Sequence, residues 1–133
     1  MVTGSKTDSE IQIRIGDQTD RQTIYRMRHA VYATELSQHS ENQDLSLTDS
    51  LDEFNVYIVA KVENQVVGFI SITPPDKNTY SIDKYLSRDS LPFAIDDGTF
   101  EIRILTIDKS SRGSRIATLL MYASLRWIES NGG

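Results

Sequence analysis

Two β-rich runs, Val56-Tyr57-Ile58-Val59-Ala60-Lys61-Val62 and Val66-Val67-Gly68-Phe69-Ile70-Ser71-Ile72, flank the short connection Glu63-Asn64-Gln65. Runs this rich in β-branched and aromatic residues, with so little chain between them, fold back on each other, which makes this the clearest antiparallel hairpin in the sequence. Pro74-Pro75 stops the second run, because proline offers no N–H to a strand ladder. With 133 residues, 38% hydrophobic and 25% charged, the chain can bury one core around that hairpin.

Other elements follow from periodicity. Residues 1–10 read as a flexible tail and 11–133 as a single domain. Ile11-Gln12-Ile13-Arg14-Ile15 alternates as a half-buried strand does, and Gly16-Asp17-Gln18 ends it. Thr19 with Gln22 fits a capping box, and Ile24, Met27 and Val31 at helical spacing predict a helix from about 20 to about 35. From Glu35 to Ala60 there is no Lys or Arg, while Glu35, Glu41, Asp44, Asp49, Asp52 and Glu53 supply acids. Such a stretch is either a solvated loop or an acidic wall that attracts a cationic partner such as an amine. Residues 76–98 form a long connection with a helical turn near 81–86 and a turn at Asp96-Asp97-Gly98. Phe100-Glu101-Ile102-Arg103-Ile104 alternates and runs on through Leu105-Thr106-Ile107 as a strand. Under strict alternation Glu101, Arg103 and Leu105 share one face. Ile116, Leu119, Leu120, Ala123, Trp127 and Ile128 mark a second helix to about Ser130, with Asn131-Gly132-Gly133 as its C-cap and Trp127 in the core. The order predicts an α+β fold, a mixed, mostly antiparallel sheet flanked by helices.

Several classes of function drop out. There is no cysteine, which removes disulfides and cysteine-ligated metals, and His29 and His39 have no carboxylate at ligand spacing, so no metal site is expected. No apolar run approaches the roughly 18 residues of a membrane span, and the polar start does not fit a secretory signal, so the expected location is cytoplasmic, off the membrane. The net charge of −5 divides unevenly: residues 1–100 hold 9 basic and 16 acidic residues, residues 101–133 hold 5 and 3. A mainly acidic surface disfavours nucleic acid, which is bound through many Lys and Arg contacts to phosphate. The basic end centres on Lys109, Arg112 and Arg115, in a loop that leaves a strand and opens a helix. Helix N-terminal N–H groups and the helix dipole favour phosphate there, although a solvated basic loop reads equally well from charge alone. The spacing is not that of a Walker loop, and Gly-x-Gly-x-x-Gly is absent.

The run Arg112-Gly113-Ser114-Arg115-Ile116-Ala117 resembles the acyl-CoA-binding motif of the GNAT acyltransferase superfamily, Gln/Arg-x-x-Gly-x-Gly/Ala, with Arg115 where the central glycine is usual. The preceding helix, the hairpin ending in Val67-Gly68-Phe69 and the following strand come in that family's order. The resemblance implies that Arg112, Gly113, Ser114, Arg115, Ile116 and Ala117 hold the pyrophosphate of acetyl-CoA or another acyl-CoA. It implies also that pantetheine runs along Leu105, Thr106 and Ile107, with an N–H near Leu105 polarising the thioester. Acyl transfer to a small-molecule amine needs a base, for which the resemblance points to Glu101, with Arg103 beside it. A second likeness, carried by residues 25–35, Asp49, Asp52 and Glu101-Ile102-Arg103, is to the acyl-homoserine-lactone and N-acyl amino acid synthases, a branch that commonly uses acyl carrier protein. It implies that Arg26 or Arg28, Asp49, Asp52, Glu101 and Arg103 surround the acceptor, with Arg28, Asp49 and Asp52 binding it. The family pattern continues past this chain's last helix with further strands, so the expectation is a homodimer, or a longer chain, that covers the sheet edge at Phe100–Ile107. The rival expectation is a non-catalytic binding or dimerisation module.

Overall fold

In the computed structural model, which describes residues 10–36, 46, 48 and 50–133, the hairpin is built on a two-residue turn. Glu63 and Asn64 take left-handed φ values of 51° and 69°, the conformation whose twist matches two right-twisted strands. Gln65 therefore belongs to the second strand, and the connection is one residue shorter than the sequence pattern implied. The strands are β1 (Ile11–Ile15), β2 (Val56–Val62), β3 (Gln65–Thr73) and β4 (Glu101–Ile107). They form one sheet in the order β1-β2-β3-β4, with all three pairings antiparallel. Among the described residues β4 pairs with β3 alone, so its second edge is open.

Each face of the sheet carries one helix. Helix α1 (Gln18–Arg28) continues into a π-helical segment, His29–Glu35, so the single helix expected to about residue 35 changes winding at His29. Its cap differs from the expected Thr19 and Gln22. Asp17, extended at the end of the β1 turn, accepts from the Asp20 N–H at 2.8 Å, and its own N–H donates to the Asp20 carboxylate at 3.0 Å. A pair of aspartates three apart does the work of the usual capping box because both reach the same orphan N–H groups. Helix α2 (Ile116–Ser130) begins and ends where its apolar periodicity does, and the N–H groups of Asn131 and Gly133 return to the Ile128 carbonyl.

The two faces are unlike. On the α2 side Ile58, Ala60, Ile70 and Ile72 pack with Ile116 and Leu120, and Trp127 lies edge-on to Phe100. On the α1 side a smaller apolar cluster, Ile24, Tyr57, Val59 and Phe69, gives way to buried charge. Gly68 lets β4 and α2 approach β3: a Cβ there would stand 2.9 Å from the Ile107 side chain and 3.2 Å from the Thr106 carbonyl. No helix among the described residues is long and apolar enough to cross a membrane. The tail at 1–9 and most of the acidic stretch, with His39, Glu41, Asp44 and Asp49, lie outside the described residues.

Candidate functional site

The strand β4 does not alternate to its end. Its register steps from Ser71↔Arg103 to Phe69↔Thr106, so Ile70 of β3 is opposed by two residues, Ile104 and Leu105. This is a β-bulge, and Ile104 within it has φ of 55°, a left-handed conformation costly for a β-branched side chain. Strict alternation would have put Leu105 on the face of Glu101 and Arg103. The bulge puts Thr106 there instead, since Thr106 and Arg103 pair with Phe69 and Ser71, which share a face. A trace of this exists in the sequence: Ile102 and Ile104 are two apart, as are Leu105 and Ile107, and the phase slips between the pairs. Strain of this kind gathers where a strand edge is put to use.

Beyond the bulge the chain makes a short turn at Lys109–Ser111, passes through Arg112, and reverses at Gly113, whose φ of 85° suits glycine. The Ser114 hydroxyl donates to the Ser111 carbonyl at 2.7 Å and accepts from the Ile116 N–H at 3.3 Å, which starts α2. Lys109, Arg112 and Arg115 are all exposed, and Ile116 anchors the helix in the core. The positive end of the α2 dipole thus faces a loop of three cations.

A cleft of about 290 Å³ separates this loop and the end of β4 from the π-helical segment. Val31, Tyr32, Glu35 and Leu36 form one wall, and Leu105, Thr106, Ile107 and Arg112 form the other. Among the described residues two side-chain contacts bridge it. The Tyr32 hydroxyl lies 3.0 Å from the Thr106 hydroxyl. The Arg112 guanidinium donates both terminal nitrogens to the Glu35 carboxylate, at 2.7 and 3.0 Å, and its Nε to the Ile107 carbonyl at 3.0 Å. That pairing, chiefly the hydrogen bond itself, lowers the Glu35 carboxyl below its ordinary range and raises Arg112 above its own.

On the α1 face the side chains of Arg28, Asp52 and Arg103 are only 8%, 5% and 8% exposed. Arg28 meets both Asp52 oxygens at 2.7 and 2.8 Å, and Arg103 reaches the same carboxylate at 3.3 Å. The Tyr57 hydroxyl also donates to Asp52. Burial first, then the hydrogen bond to Asp52 and its charge, pushes the Tyr57 hydroxyl well above its ordinary value, so it stays a donor. The Asn55 amide turns its oxygen to the Arg103 guanidinium at 2.8 and 2.9 Å and its nitrogen to the Leu51 carbonyl and Thr73 hydroxyl, the orientation in which each atom meets a complementary partner. Arg21 fixes the segment from outside, donating to the carbonyls of Asp52 and Asn55 at 2.6 and 2.5 Å while lying over the Tyr57 ring.

Glu101 shares the face of Arg103, but the two serve different partners. Both Glu101 oxygens accept backbone N–H groups, from Ser81 at 2.7 Å and Ile82 at 3.0 Å, so the carboxylate holds the start of the Ser81–Lys84 turn. The fold therefore collects Arg28, Asp52 and Arg103 in one network, and gathers Leu105, Thr106, Ile107 and Arg112 around one cleft. Gly113 to Ala117 do not line that cleft but carry the chain from Arg112 into α2, where Ala117 and Leu105 line a second, shallower hollow with Met121 and Leu125, and Asp49 is outside the described residues. Tyr32, Asn55 and Tyr57 were not legible as site residues. Only Tyr57 left a signal, a polar aromatic among the apolar residues that open a central strand.

Residues 21–133 match the model of the acetyltransferase (GNAT) family. A search of the curated proteins finds no match. Among solved structures the chain is similar to a CoA-dependent acyl-homoserine lactone synthase, BjaI, with SAM and isopentyl-CoA, at a TM-score of 0.75 and 18% identity, over 92% of this chain and 63% of that one. It is similar too to the CoA-dependent synthase MesI, at a TM-score of 0.71 and 16% identity, over 91% of this chain and 66% of that one. The AHL synthase LasI gives a TM-score of 0.73 at 19% identity, over 93% and 68%. At these identities the likeness is one of fold, and the chain spans about two thirds of the length of these enzymes.

Proposed function

The chain belongs to the acetyltransferase (GNAT) family, and from that premise we propose that it moves an acyl group from an acyl-CoA thioester to an amine acceptor by direct attack. The observation that carries this reading is the bulge in β4. A left-handed Ile104 beside an exposed Leu105 breaks the ladder at an open strand edge, next to a cationic loop and the start of a helix. An edge of this kind has backbone groups to offer a pantetheine arm, and the loop from Arg112 to Ala117 has N–H groups and charge to offer a pyrophosphate. The cleft between the π-helical segment and β4 is where the arm lies.

In the reaction the acceptor nitrogen attacks the thioester carbonyl carbon, and an N–H near Leu105 takes the developing oxyanion. The proton lost by the amine passes to Glu101 directly or through water, the C–S bond breaks and CoA leaves as the thiolate, and return of that proton to the sulfur through solvent gives the thiol and restores the Glu101 carboxylate. The acceptor would dock towards the buried Arg28–Asp52–Arg103 network. A second reading is favoured by that network: two buried guanidiniums around one carboxylate suit an acceptor with both an amine and a carboxylate. S-adenosylmethionine, present in the BjaI structure, is of that type, and the donor would then be an acyl-CoA or an acyl carrier protein.

Thermal-shift titration with CoA, acetyl-CoA and longer acyl-CoAs tests the donor. Saturable stabilisation is expected, and it should disappear in Arg112→Glu. No shift with any donor, in a folded sample, overturns the reading for this chain and leaves a non-catalytic module. Thiol release in the presence of simple amines or S-adenosylmethionine then separates the two acceptors. A Glu101→Gln protein that reacts at the wild-type rate across pH removes Glu101 as the base.

A further inference from the structure

We propose that Glu35 sets the affinity of this chain for its donor, because the donor phosphate reaches Arg112 only by displacing the Glu35 carboxylate. The proposal rests on the donor reading above. A guanidinium offers a planar fork that fits a carboxylate and a phosphate equally well. In this structure the fork is filled: both terminal nitrogens of Arg112 lie on Glu35 and Nε lies on the Ile107 carbonyl. Glu35 is thus an internal stand-in for the ligand, carried by the opposite wall of the cleft.

The pair is built to exchange. Its side chains are 40% and 30% exposed, whereas the Arg28–Asp52 pair is almost wholly buried. Exposed pairs of this kind are weak and open readily to solvent. The competitor is nevertheless ionised more readily than a free glutamate, since Arg112 and then Lys109 lower the Glu35 carboxyl from its ordinary value. The same exchange alters the cleft. With Arg112 turned to a phosphate, the Tyr32–Thr106 contact is left as the one described side-chain hydrogen bond joining its two walls.

Calorimetric titration of four proteins tests this: wild type, Glu35→Gln, Arg112→Ala and the double variant, with CoA as probe and phosphate-free pantetheine as control. Glu35→Gln should bind CoA about two- to fivefold more tightly, the range expected from releasing one exposed ion pair, with pantetheine unaffected. In the Arg112→Ala background the gain should fall away, because the two residues act through each other. Wild-type CoA binding with no gain or a loss in Glu35→Gln overturns the proposal and leaves the donor reading standing. A gain that persists without Arg112, or that extends to pantetheine, also overturns it. Failure of all four proteins to bind CoA overturns both.

Discussion

The face of the sheet under α2 and the face under α1 bury similar stretches of the same strands by opposite means. Under α2, aliphatic side chains meet aliphatic side chains, and the free energy comes from apolar area removed from water and from close packing. Under α1, Arg28, Arg103, Asp52, Tyr57 and Asn55 are buried with their hydrogen-bonding atoms matched, and among the described residues no buried side-chain nitrogen or oxygen lacks a partner. Such a network adds little net stability over an apolar core, yet it is costly to break, because a lone buried charge cannot regain its water. The apolar face supports the fold, and the charged face holds one arrangement of polar groups beside the open cleft.

The sharpest way to break this contrast is at Asp52. Removing the carboxylate that both guanidiniums and Tyr57 share should cost about 3–5 kcal/mol in Asp52→Ala. The near-isosteric Asp52→Asn should lose a large part of that, because charge, not shape, is what the site needs. Denaturant unfolding reads both. Leu120→Ala, fully buried under α2, should cost about 2–5 kcal/mol by leaving a cavity, whereas Leu120→Met, which keeps the volume, should cost less than about 1.5 kcal/mol. If the asparagine swap proves as mild as the methionine swap, the two faces do not differ as described.

The smallest effect is expected at Asp20, beneath the α1 cap. Burial alone would raise its carboxyl, but Lys61 at 2.8 Å, the backbone at Asp17 and Arg14 together hold it below the ordinary value. A carboxyl lowered in the folded state stabilises the protein above its unfolded pKa, and that contribution is lost as the pH falls through the folded one. Melting temperature followed from pH 7 into acid should therefore fall for the wild type. Asp20→Asn should start lower at neutral pH and fall less steeply. An identical acid slope in both proteins would remove Asp20 from the account.

What could be read from residue order follows the range of the forces involved. The hairpin and helix α2 from Ile116 to Ser130 depend on neighbours a few positions apart, so periodicity and turn chemistry expose them. The cap lies two residues before the Thr19 that the pattern predicts, because an aspartate pair, Asp17 and Asp20, replaces the usual Ser/Thr and Glu/Gln. The loop from Asp108 to Ala117 was legible as a place for phosphate because its cations are contiguous. That Arg112 is already held by Glu35, 77 positions away, could not be seen from either residue.

By itself, then, the amino-acid order determined the four strands, the two helices that cover them and the loop that concentrates positive charge. Only the tertiary structure decided how β4 slips phase at Ile104, which acid each arginine meets, and which wall closes the cleft. The physical reason is that charge carries no address in sequence. A carboxylate pairs with whichever cation the register and helix packing bring to it, and a one-residue bulge changes which side chains share a face.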